Sequence, residues 1–191
     1  MPRGLARDHA EKRTALRKGA AVHFAEHGFD RASMASVARA CGVSKALIYH
    51  YYDSKEALLF DILNAYLCAL ANTVEQTPRQ GSAEAQFRCL IRAILHRYRD
   101  ADAEHKLQLD AIARLPGDMQ APLIDLQRRI VARMGVVLAE LGVTRTPRAV
   151  TMSVFGMLNW FYIWHRPGKV ISREDYADLV SDFVLGGVRN L

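Results

Sequence analysis

Along the chain, apolar residues recur three or four apart, the spacing of one helix face, and nowhere alternate with polar ones over the length of a strand. The pattern predicts an all-helical protein of about nine helices. The first spans about 8–26, with Leu16, Ala20 and Phe24 on one face, and ends at Gly28. Ser33 caps a short helix to about 41, and Ser44 caps another to about 51, with Gly42 between them. Asp53 and Glu56 have capping-box spacing and open a long helix to about 75, broken by Thr77-Pro78-Arg79-Gln80-Gly81. Five helical segments follow, over about 82–99, 103–115, 122–142 and 146–165, then one opened by Ser172. Pro122 and Pro147 are placed at N1 positions, and Pro116-Gly117 and Pro167-Gly168 act as stops.

Two of these helices are apolar almost all round. In the segment 147–165, Val150, Val154, Met157, Phe161 and Trp164 share one stripe. Met152, Phe155, Asn159 and Tyr162 share another, and Gly156 and Trp160 fill a third. The last helix repeats the theme with Tyr176, Leu179, Val180, Phe183, Val184 and Gly187. In a chain of 191 residues, such helices must bury one side within the molecule and the other against a partner.

The charge is uneven. Residues 1–60 carry ten Lys/Arg and six Asp/Glu, a net of +4, while the remaining residues carry 16 and 14. A basic first third on a nearly neutral body points to a polyanion at that end. The first eight residues lack the apolar run of a secretory signal, and no apolar run reaches the roughly 18 residues of a membrane span. Cys41, Cys68 and Cys89 lie far apart, as expected in a reducing cytoplasm. No nucleotide, zinc-protease or hydrolase motif is present, and no catalytic residue or resident cofactor is expected. His23 and His27, four apart, lack a third ligand in the sequence around them, so no metal is expected either.

The informative stretch is 28–59. Two short helices meet at Cys41-Gly42-Val43-Ser44, with the small Ala38 at their contact and Val43 as an apolar plug. Val37, Ala38, Cys41, Val43, Ile48 and Tyr52 form the core with the first helix. The second short helix then turns Lys45, Ala46, Leu47, Tyr49 and His50 outward, a face suited to phosphates, base edges and thymine methyls in a major groove.

This run resembles the N-terminal domain of the TetR family of bacterial one-component transcriptional regulators. The resemblance rests on Gly28-Phe29, Ser33, Ala38, Gly42-Val43-Ser44, Ile48-Tyr49, Ser54-Lys55-Glu56 and Leu58. Val37 stands where Ile is usual, and Tyr52 where Phe is usual. The resemblance implies a DNA-binding domain over 1–53 and a ligand-binding and dimerisation domain over 54–191, joined by the helix from 54. It implies DNA contacts by Ser33, Ser44, Lys45, Leu47, Tyr49, His50 and Lys55, with Lys55 clamping the backbone. It implies a homodimer through the last two helices, at Val150, Val154, Phe161, Tyr176, Val180, Phe183, Val184 and Gly187. The dimer would read a pseudo-palindromic operator.

The Asn159-Trp160 and Trp164 run before Pro167 resembles an acyl-CoA-responsive subset of the family. It implies an effector pocket roofed by Met157, Trp160 and Trp164, with Arg128, Arg129 or Arg133 meeting its charged end. The expected effector is an acyl-CoA or another hydrophobic molecule, releasing a repressor from DNA. The alternative left open is a constitutive or architectural DNA-binding dimer with no effector.

Overall fold

The computed structural model describes residues 3–166, 168 and 171–188. Among them are nine α-helices and one 3-10 turn, and no strand. The helices are α1 (Arg3–His27), α2 (Met34–Ala40), α3 (Lys45–Tyr51), α4 (Lys55–Glu75), α5 (Ala83–Arg97), α6 (Asp102–Asp110), α7 (Gly117–Glu140), α8 (Pro147–Trp164) and α9 (Arg173–Val188). The 3-10 turn, η1 (Ile112–Arg114), follows α6, so the expected helix over 103–115 is a shorter helix and a turn.

The caps differ from the sequence reading in three places. Ser54, not Asp53, starts α4, its Oγ accepting the Ala57 N–H at 3.0 Å. α7 begins at Gly117, so Pro122 lies inside it; the Pro116 carbonyl accepts the first free N–H groups, from Met119 and Gln120. Thr146 precedes α8 with φ 49° and makes no side-chain cap bond. Pro167, expected to stop α8, lies outside the described residues.

α4, with a mean hydropathy of 1.5 over 18 residues, is long and apolar enough by composition to cross a membrane. Its apolar side chains Leu58, Leu59, Ile62, Leu63, Leu67 and Val74 are buried within the protein, which makes it a core helix.

The chain forms two compact units, Met1–Tyr66 with Ala103–Leu123, and Leu67–Asp102 with Ile124–Leu191. The division does not follow a 53/54 boundary. The first half of α4 and most of α6 cluster with the helix-turn-helix, because their polar groups tie to it and to each other. Tyr66 Oη and His105 Nδ1 share a buried hydrogen bond at 2.8 Å. Lys106 Nζ donates to the Ala25 carbonyl at 2.7 Å, and Arg114 pairs with Asp30 at 2.6 Å.

In the second unit α5 supplies the centre, with Phe87, Leu90, Ile91, Ile94 and Leu95 buried. α9 lies along it, held at the rim by Arg92–Asp178 and Arg88–Asp182 pairs at 2.6 and 2.7 Å. α8 joins them through the stacked rings of Phe161 and Tyr176, 4.5 Å apart. Tyr98 Oη donates to Asn159 Oδ1 at 2.9 Å, and burial pushes the Tyr98 phenol up in pKa.

Candidate nucleic-acid interface and effector domain

The first unit presents a helix-turn-helix. Ser33 caps α2 reciprocally with Ser36, each hydroxyl accepting the other residue's N–H at 3.0–3.1 Å. Gly42, at φ +66°, makes the turn that a side chain would strain. Ser44 then caps α3, accepting the Leu47 N–H at 3.1 Å. Val37, Ala38, Ile48 and Tyr52 are buried as the spacing required, while Cys41 and Val43 are half-buried. α1 approaches closely at Gly19, where a Cβ would sit 2.7 Å from Cys41 Sγ.

With Ile48 anchored inward, α3 turns Lys45, Ala46, Tyr49 and His50 to solvent, and Leu47 is half-exposed. The Lys45 ammonium lies 5.9 Å from the Tyr49 ring centroid. The His9 ring from α1 packs 4.6 Å from Tyr51, so α1 also reaches this face, a contribution signalled in the sequence only by the basic N-terminal third.

Tyr52 is the departure from the family's usual Phe, and its hydroxyl has a purpose. It donates to Asp61 Oδ2 at 2.7 Å, and the same carboxylate receives the Arg13 guanidinium through two bonds of 3.0 and 2.8 Å. Burial and this bond hold the Tyr52 phenol up at about 12. Because the native pKa lies above the usual 10, this contribution is present below pH 10 and fades between pH 10 and 12. Tyr52→Phe is expected to cost about 1 kcal/mol at neutral pH. The gap from wild type should narrow over that alkaline window in urea unfolding, and a constant gap would contradict the assignment.

In the DNA-free structure Lys55 is engaged within the protein. Its ammonium donates to the carbonyls of Phe29, Ala32 and Asp30 at 2.9, 3.2 and 3.4 Å and lies 4.4 Å from the Phe29 ring centroid. A cation at the first residue of α4 is repelled by the helix dipole, and these carbonyls offset that. All three N–H groups are therefore engaged in holding the α1–α2 turn that positions Ser33. A phosphate clamp removed by Lys55→Met would lower the salt slope of DNA binding by about one unit. The staple predicts an unchanged slope, with stability lower by about 1–2 kcal/mol.

In the second unit the expected effector residues do not converge. Arg128 is exposed, Met157 half-buried, and Trp160 is 61% exposed on the outward side of α8. Trp164 packs edge-on to Phe161 and Tyr176. A cavity of about 710 Å³ lies instead at the end of α8 and the start of α9, between Arg99, Tyr162, His165 and Arg173. A groove of about 670 Å³ with Ala85, Cys89, Ala93 and Ala177 along it lies between α5 and α9.

The two apolar stripes are also exchanged. Val154, Phe161, Tyr176, Val180 and Val184 are buried inside the protomer and Val150 is half-buried, so of the expected interface only Phe183 and Gly187 are exposed. The core takes the stripe that faces α5. The outward stripes are Met152, Gly156, Trp160 and Ile163 on α8, and Leu179, Phe183 and Gly187 on α9, with Phe183 72% exposed.

A three-helix reading head with an outward recognition helix, followed by a larger helical unit, defines a helix-turn-helix DNA-binding regulator. Residues 16–62 match the family model for bacterial regulatory proteins of the tetR family, and residues 80–188 match a tetracyclin repressor-like C-terminal domain. The chain belongs to the TetR family of transcriptional regulators. A TetR-family regulator from Bordetella parapertussis 12822 is 30% identical, with 94% of this chain and 96% of that one covered and a TM-score of 0.86. The transcriptional repressor KstR2 of Mycolicibacterium smegmatis is 24% identical over 94% of this chain and 91% of its own. AibR, in a structure with isovaleryl coenzyme A and operator DNA, shares the fold at 24% identity and a TM-score of 0.79, over 90% of this chain and 97% of that one.

Proposed function

We propose that this regulator is a cytoplasmic repressor that binds a pseudo-palindromic operator as a homodimer and is released by a hydrophobic effector. The outward face of α3 carries the reading: Lys45, Tyr49 and His50 are exposed together while Ile48 and Tyr52 fix the helix from behind. Lys45 meets phosphate, Tyr49 and His50 meet phosphate or base edges, and Ala46 and Leu47 pack on thymine methyls. Ser33 and Ser44 have hydroxyl hydrogens to donate to phosphate while their oxygens cap the helices.

The partner in the dimer is a second copy of the chain, docked on the outward stripes of α8 and α9. A soluble monomer would leave Trp160, Met152, Leu179 and Phe183 in water together, which favours burial against the same stripes of a copy. Effector binding in the second unit favours a dimer whose recognition helices no longer match the half-site spacing, in proportion to its tighter binding to that state.

Support for an effector comes from the match to a tetracyclin repressor-like C-terminal domain and from AibR, which holds isovaleryl coenzyme A and operator DNA in one complex. Fluorescence anisotropy on an operator selected from random DNA tests the reading. Acyl-CoA thioesters of increasing chain length, or an uncharged hydrophobe of similar size, are expected to release the DNA. An operator affinity unmoved by any of them would leave a constitutive DNA-binding dimer.

A further inference from the structure

α7 turns Leu126, Ile130, Met134 and Val137 into the core of the second unit, and Arg133 falls within that stripe, three residues after Ile130 and four before Val137. Its side chain is 7% exposed. Nη2 donates to Gln86 Oε1 at 3.2 Å and reaches the Pro78 carbonyl at 3.5 Å, so Arg133 lies beneath the turn between α4 and α5. Gln86, on α5, is itself 7% exposed. Nε of Arg133 is buried with no hydrogen-bond partner, the one such side-chain atom among the described residues. Nor does a carboxylate of the described residues pair with it. Its neighbour Arg129, one turn earlier, is the one that takes Glu75.

A guanidinium is a permanent cation with five donors in a fixed fork. Two neutral oxygens on one nitrogen do not replace the hydration of a buried cation, and an orphaned N–H adds to that cost. A charge kept in an apolar stripe at such cost is compensated when an anion joins it. We propose that Arg133 is the receptor for an oxyanion carried by the effector, a carboxylate or a phosphate, received by the unpartnered Nε and by Nη2 as it exchanges the distant Pro78 carbonyl for the anion, with Gln86 alongside. The proposal rests on the effector reading above and narrows it to amphipathic anions. It also separates the three arginines of α7: Arg128 is exposed, Arg129 is paired, and Arg133 is the buried one.

Thermal unfolding of the full-length wild type and R133M, with decanoate, decanoyl-CoA and 1-decanol as matched ten-carbon probes, tests it. At least one anionic probe is expected to bind wild type about tenfold more tightly than decanol and to lose that advantage in R133M. Dependence confined to decanoate identifies a carboxylate, and dependence confined to decanoyl-CoA a phosphate. No anionic advantage in wild type, or one that R133M retains, overturns the proposal. If R133M does not fold, R133K, which keeps the charge but loses the fork, is expected to cut the advantage several-fold, and an undiminished advantage overturns it. Should none of the three probes bind, the hydrophobic-effector reading fails separately. Sulfate against chloride at equal ionic strength then decides the receptor. Greater stabilisation of wild type than of the Arg133 variant supports it, and equal stabilisation overturns it.

Discussion

Phe183→Asp is expected to yield a folded monomer. Phe183 is 72% exposed on α9, so the protomer loses little packing when the ring goes. In the proposed dimer the ring would be buried, and a carboxylate there would be desolvated without a partner. Losing an aromatic anchor and burying an unpaired charge together cost on the order of 4 kcal/mol of association, a thousandfold or more in dissociation constant. Light scattering after size exclusion should show half the mass with helical circular dichroism intact. Trp160, on the outward stripe of α8, should shift its emission to the red as water reaches it. Val184→Asp is the contrasting variant: Val184 is 7% exposed in the protomer's own core, so it should unfold or aggregate the chain rather than dissociate it. A dimeric Phe183→Asp protein would place the interface elsewhere.

Tyr49→Ala is expected to cost about 1–3 kcal/mol of operator affinity, roughly fivefold to more than a hundredfold, with no loss of dimer mass. The ring is 45% exposed in the DNA-free protein and lies beside Lys45, so its removal deletes a contact surface without opening the core. Its thermal midpoint should stay within a degree or two of wild type, which separates it from Lys55→Met, where stability falls. A Tyr49→Ala protein that binds its operator as wild type does would remove α3's outward face from the interface.

The helix-turn-helix was legible because its signals are local. Ser33, Gly42 and Ser44 are punctuation that works within four residues, and the burial of Val37, Ile48 and Tyr52 follows from helical spacing alone. What was not legible depends on which neighbour a helix meets. The spacing of Lys55 places it at a helix start, but only the fold brings the carbonyls of 29–32 to its ammonium. α8 is apolar on several faces, so its pattern cannot tell the stripe that meets α5 and α9 from the one that faces out. The stripes were exchanged for that reason, and Trp160 was placed over a pocket. Arg133 did carry a sequence signal, a charge at a core position of α7, but three arginines within six residues obscured which one was buried.

Selection from a random duplex library by the wild-type protein tests the central claim, that a two-fold dimer reads DNA through α3. The enriched sequences should converge on a pseudo-palindrome whose half-sites are centred about one helical turn, roughly 34–36 Å, apart. The Tyr49→Ala protein should fail to enrich it under the same salt. A direct repeat, a single unpaired half-site, or no enriched sequence at all would contradict the account.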